Sequence, residues 1–243
     1  MQPGKVDRQP SYVLHTQPYK ETSLLVEVLT RDHGRFTLVA RGARRPRSDL
    51  RGLLLPFQPL QLSWFGKGEL RTLHVADWRG GVPQFAGERL VCGFYLNELL
   101  LRLAPRDDPA PELFKLYDRV VRTLAGDVQF GNVLRRFELD LLSLLGYAPM
   151  LAADAGGQDV VPEGYYLCRF GELPQRVAPI ERPSAHGCVL PGASLLALAA
   201  GDLSQVQTRR DARLLTRVLL DELLGQQPLA TRELLTTLYA LAE

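Results

Sequence analysis

Five arginines and a single acid fall within Arg41-Gly42-Ala43-Arg44-Arg45-Pro46-Arg47-Ser48-Asp49-Leu50-Arg51. A guanidinium is a planar fork of donors that matches the oxygens of a phosphate two at a time. Gly42 and Pro46 interrupt any regular element, and strand-like runs flank the segment, so it reads as a mobile loop on a β scaffold. That combination suits contact with a nucleic-acid backbone. A solvated charged loop has the same composition, and this stretch alone does not separate the two.

Catalytic constellations are absent from the sequence. It has no GxxxxGK[ST] phosphate cradle, no HExxH and no GxSxG, and Gly66-Lys67-Gly68 is a hairpin turn. His15, His33, His74 and His186 stand in unrelated contexts, so the chain is expected not to be an enzyme. Cys168, His186 and Cys188 offer three metal ligands, but a structural zinc takes four, usually from paired CxxC motifs. Neither metal nor cofactor is expected. Three cysteines form no disulfide framework, and Cys92 in Leu90-Val91-Cys92-Gly93-Phe94 reads as core filler.

Other basic residues extend the phosphate-binding set. Lys67 and Arg71 follow the arginine segment on the next hairpin and strand, and Lys20 and Arg35 extend the same groove. The DNA-binding set is therefore Arg41, Arg44, Arg45, Arg47, Arg51, Lys67 and Arg71. Candidate stacking aromatics are few (Tyr12, Tyr19, Phe57, Trp64, Phe65), and most suit a core. Binding through the backbone, independent of base sequence, is the expectation. Arg210, Arg213 and Arg217 share a helix face, diluted by Asp211 and Asp221, and form a secondary basic face or a merely solvated one. Arg135 and Arg136 sit one to two turns before Leu139 and Leu142. A cation beside an apolar groove can hold an acidic peptide with an apolar end, though Arg136 can equally pair with Asp140.

The elements that position these residues fall into two kinds. Tyr12–Leu14, Ser23–Thr30, Arg35–Ala40, Leu60–Trp64 and Glu69–Val75 read as five short strands. That number in about 70 residues fits a small barrel of the OB type, which binds oligonucleotides, among other small barrels. From Pro83 the period turns helical: Phe85–Leu103, Pro111–Leu124 and Val128–Leu145, the last with the stripe Phe130, Leu134, Phe137, Leu141, Leu145. Residues 147–192, rich in Pro and Gly, read as a small irregular insert with one or two strand pieces such as Tyr165–Phe170. Leu195–Ala200, Gln205–Leu224 and Thr231–Leu241 are further helices.

The fold class is therefore α+β and multi-domain: residues 1–80 an OB-fold DNA-binding domain, 81–243 a helical domain carrying the insert 147–192. Charge divides the same way. Residues 1–80 carry a net +6 and the remainder −4, which suits a polyanion partner for the first part and proteins for the second. The N-terminus lacks the apolar run of a signal peptide, and no window approaches the roughly 18 apolar residues of a membrane span. A cytoplasmic location is expected.

Several segments resemble the bacterial RecO family of DNA repair and recombination mediators: YVLHTQPYKETSLLVEVLT (12–30), GRFTLVARGARRPRSDLRGLLLPFQPL (34–60), YLNELL (95–100), LRRFELDLLSLLGY (134–147) and PLATRELL (228–235). The resemblance implies an N-terminal OB barrel, a helical bundle and an insert that often binds zinc. The four-cysteine zinc pattern is missing here. It implies binding of single- and double-stranded DNA, annealing of complementary strands and, with RecR, help in loading RecA onto DNA coated by single-stranded-DNA-binding protein (SSB). It also implies capture of the acidic, phenylalanine-ending SSB C-terminal tail by the helical domain. The basic tail contact lies in LRRFEL, at Arg135, with Arg136, Leu139 and Leu142 around it. Nucleoid association follows. Two alternatives remain open: an adaptor whose barrel docks RecR with only incidental DNA contact, and an RNA-binding barrel.

Overall fold

A computed structural model describes residues 4–68, 70–178, 187–225 and 227–234. The chain forms two compact units, one of Met1–Val128 with Leu229–Glu243 and one of Gln129–Pro228.

The first unit is built on a closed five-stranded barrel of β1 (Lys5–Tyr19), β2 (Ser23–Thr30), β3 (Gly34–Ala40), β4 (Leu60–Phe65) and β5 (Leu70–Trp78). The order around the barrel is β1-β2-β3-β5-β4, with β3 and β5 parallel and every other pair antiparallel. This is the OB-type barrel expected from the strand count. Alternate residues of β2 and β3 point inward, and Val26, Val28, Phe36, Leu38 and Ala40 meet Leu60, Leu62 and Trp64 in its core. The first strand is much longer than Tyr12–Leu14. Its register slips between Val6 and Gln9 and again between Val13 and His15. Each bulge resets the period-two pattern, which hides a strand that must bend to pair with β4 at one end and β2 at the other. β5 also runs past Val75; His74 is an extra residue between the partners of Ser63 and Trp64, and this bulge breaks the alternation that marks the strand in sequence.

A single helical turn, α1 (Leu50–Leu53), lies between β3 and β4, and Leu50 and Leu53 pack on the barrel core. It takes in the last two residues of the arginine segment, correcting the expectation that the segment is wholly irregular. Helices α2 (Gly87–Leu103) and α3 (Pro111–Leu124) complete the unit. The α2–α3 connector is laid on β3: Arg106 bridges to Arg35, and a Cβ on Gly34 (φ 66°) would fall 1.9 Å from the Asp108 carbonyl oxygen. Glu98 of α2 accepts bonds from the N–H groups of Ala230 and Thr231 and from the Thr231 hydroxyl. Most of the expected helix Thr231–Leu241 lies outside the described residues.

The second unit holds α4 (Phe130–Leu144), β6 (Tyr165–Arg169), β7 (Gln175–Val177), β8 (Gly187–Pro191), α5 (Gly192–Ala199) and α6 (Val206–Leu223). The three strands form one sheet, ordered β7-β6-β8, so the insert is more regular than its composition suggested. β7 is short and polar, and β8 is bounded by Gly187 and Pro191, so neither shows a strand pattern in sequence.

Candidate nucleic-acid interface

The β2–β3 face is the surface on which OB barrels hold oligonucleotides. Here it is occupied by the chain itself. Leu29 is fully buried, and Arg35 donates from Nε and Nη2 to the Ala104 carbonyl at the end of α2. Glu27 receives Arg35, Arg106 and the Thr37 hydroxyl. On β1, the Tyr12 hydroxyl donates to Asp118 at 2.6 Å, and the Leu14 carbonyl accepts from Asn97. Burial and the Asp118 carboxylate raise the Tyr12 pKa far above that of a free phenol. Arg35 is thus an internal tether, not an extension of a groove. Burial, then Arg106, lower its pKa, and Glu27 opposes them.

The arginine segment leaves the barrel at the end of β3, on the way to β4. The arginine connector there is better held than a mobile loop. Ala43 is fully buried in the barrel core. The Arg44 N–H donates to the Thr22 carbonyl at 2.9 Å, and its Nη1 reaches the carbonyls of Lys20 and Glu21 at 3.3 Å. Successive short turns, Arg45 to Gly42, Ser48 to Arg45 and Arg51 to Ser48, carry the chain into α1. Arg41, Arg44, Arg45, Arg47 and Arg51 are all exposed, and none has an ion pair to an acid among the described residues. A held backbone with like charges exposed along it makes this end of the barrel locally positive.

The remaining basic residues sit differently. Lys67 is exposed in the β4–β5 turn, where Gly66 and Gly68 both adopt φ of 100°. Arg71 is already engaged. Its Nη2 donates to Asp107 at 2.6 Å and its guanidinium lies 3.9 Å over the Phe36 ring. Trp64 is buried, Phe57 packs on Phe85, and Tyr12 packs on Phe114 and Tyr117, so these three are core rings.

In the second unit, the adjacent arginines of α4 part company. Arg135 turns inward to Glu138, which is fully buried and also receives the Thr216 hydroxyl. Arg135 itself donates to Thr216 Oγ1 at 3.0 Å, and only 15% of its side chain is exposed. Arg136 is 54% exposed, 3.2 Å from Asp140, and also bonds the Gly201 carbonyl. Leu142 is fully buried and Leu139 half-buried. Arg210, Arg213 and Arg217 are exposed along α6, with Arg217 3.6 Å from Asp221. Cys168 and Cys188 face each other across β6 and β8, and burial pushes both thiols up to about 12. Among the described residues no group of three His, Cys, Asp or Glu is placed to hold a metal ion, and His186 lies outside them. No described helix is long and apolar enough to cross a membrane.

Sequence reasoning ends the fifth strand at Val75, because the pattern fails at His74, and so leaves out Trp78 and Arg79, which hydrogen-bond to Gln58 and Pro59 just before β4. The signal was an aromatic and a cation followed by Gly80-Gly81.

Comparison with known proteins agrees with this architecture. Residues 5–81 match the family model "Recombination protein O N terminal" and residues 84–233 match "Recombination protein O C terminal". The chain is 59% identical to the DNA repair protein RecO of Chromobacterium violaceum, covering 100% of this chain and 99% of that one. It is 52% identical to that of Laribacter hongkongensis with the same coverage, and 46% identical to that of Dechloromonas aromatica over 98% of each.

Proposed function

The chain belongs to the RecO family of DNA repair proteins, and on that premise we propose that it is a non-enzymatic recombination mediator. It binds single- and double-stranded DNA, anneals complementary strands and, with RecR, helps load RecA onto SSB-coated single strands. Residues 1–80 carry the DNA contact, in a cytoplasmic, nucleoid-associated protein. The observation that carries this reading is the anchored connector with its five exposed guanidiniums free of acidic partners.

Annealing needs no bond made or broken. Two complementary strands repel through their phosphates, and guanidiniums inserted between them remove most of that repulsion. Arg41, Arg44, Arg45, Arg47, Arg51 and Lys67 do this directly. Arg71 joins only by exchanging Asp107 for a phosphate. The second unit takes the acidic SSB tail at the α4 surface; the cation expected at Arg135 is assigned instead to the more exposed Arg136, because Arg135 turns inward and ties α4 to α6 through Thr216. Tail capture raises the local concentration of the barrel at coated DNA. The basic face of Arg210, Arg213 and Arg217 gives a further, weaker phosphate contact.

The test is annealing of complementary labelled oligonucleotides, with and without SSB. Replacing Arg44, Arg45 and Arg47 together by Ala is expected to slow annealing at least tenfold on naked strands. Unchanged annealing would favour the adaptor that docks RecR, and preference for RNA over DNA in competition would favour an RNA-binding role.

A further inference from the structure

The chain has two tryptophans, and the barrel treats them oppositely. Trp64 is sealed in the core against Phe36 and His33. Trp78, the last residue of β5, leaves 60% of its surface in water, although tryptophan is among the side chains that gain most from burial. The exposed ring is also held still. Its Nε1–H donates to Gln58 Oε1 at 3.1 Å, and Gln58 is buried. The next residue is pinned by the Arg79 N–H to the Pro59 carbonyl at 2.9 Å. Gly80, at φ 75°, lays its backbone beside the ring.

The exposed neighbour on the N-terminal side of Trp78 is an acid, Asp77. β3 and β5 run parallel, so both point toward the side from which the arginine connector departs, and β5 continues six residues past Thr72, the partner of Val39. α1, which carries Arg51, packs on β5, and the exposed Arg79 adjoins Trp78. A fixed aromatic face beside a phosphate-binding strip is how proteins hold single strands, one base on the ring and its backbone along the charges.

We propose that Trp78 is a base-stacking residue for single-stranded nucleic acid, the partner of the arginine connector. This rests on the DNA-binding reading above and adds a preference to it. A duplex has its bases already stacked and offers Trp78 no face, whereas a single strand does.

Tryptophan emission of the full chain titrated with oligo(dT) provides the test, because Trp64 is out of reach and serves as an internal reference. Wild type is expected to be quenched on binding, and Trp78→Phe to lose the quenching while keeping most of its affinity. Trp78→Ala should bind the single strand roughly 5- to 100-fold more weakly and a duplex within about twofold of wild type. Emission from Trp64 at its wild-type wavelength shows that the barrel has folded in each variant. Quenching that persists in Trp78→Phe, or equal weakening of single strand and duplex in Trp78→Ala, overturns the stacking role while leaving DNA binding intact. Failure of wild type to bind either form overturns both readings together.

Discussion

Arg135 and Arg136 are neighbours in sequence, and their replacement by Ala is expected to have opposite consequences. Breaking a buried ion pair by removing one partner costs about 3–5 kcal/mol, because the other charge stays buried. Glu138 has no exposed surface, but it keeps the Thr216 hydroxyl, and the Arg135 side chain is 15% exposed. The lower end applies, so Arg135→Ala should lose about 3 kcal/mol. For a chain of this length that is a fall of about 6–12 °C in Tm. Arg136 makes its ion pair with 54% of its side chain in water, so Arg136→Ala should stay within about 0.5 kcal/mol of wild type. Urea unfolding followed by circular dichroism measures both. Replacing Arg135 and Glu138 together by Leu should recover most of the loss, since the uncompensated charge is gone. Fluorescence anisotropy of a labelled SSB-tail peptide completes the comparison: Arg136→Ala should weaken tail binding at wild-type stability and leave naked-DNA affinity unchanged. Arg135→Ala unfolding with the wild-type midpoint would refute the view that this arginine is structural.

Two further expectations follow from buried groups. Burial works against ionisation of Glu98, but the Thr231 hydroxyl and N–H and the Ala230 N–H outweigh it and hold its pKa below the usual 4.5. A depressed carboxylate stabilises the fold above its unfolded pKa, and that contribution is lost as pH falls through the folded value. Wild type should therefore lose more stability than Glu98→Gln between about pH 7 and about pH 3.5 in urea unfolding, and equal losses would contradict the anchoring of the 229–234 segment. The buried thiols of Cys92, Cys168 and Cys188 should resist a thiol-reactive dye near neutral pH in the native protein, and all three should react in guanidinium. Rapid labelling of any one under native conditions would show that its site opens.

What the sequence revealed depended on whether one local pattern governed an element. β2 is rich in Leu and Val and pairs with β3 in one unbroken register, and its bounds, Ser23–Thr30, were readable directly. α3 opens on Pro111 at its first turn and was equally plain. β1 was not, because two bulges shift its inward residues from one parity to the other. The arginine connector announced itself by composition, but its rigidity did not. That depends on Ala43 entering the core and on a long-range bond from Arg44 to Thr22. Spacing likewise cannot say which of two adjacent helical arginines turns inward. That was decided by a buried glutamate three residues on and a threonine 81 positions away. The covering of the β2–β3 face by Ala104 and Arg106 is a tertiary fact with no local trace.

The most direct test of the arginine connector as a phosphate receptor is the salt dependence of oligonucleotide binding by the intact chain. Five guanidiniums meeting five phosphates give a slope of log affinity against log salt of about −3.5 for a single strand and about −4.5 for a duplex. Replacing Arg44, Arg45 and Arg47 by Ala should flatten the single-strand slope by about 2. A slope near zero in wild type, or one that the triple replacement leaves unchanged, would contradict it.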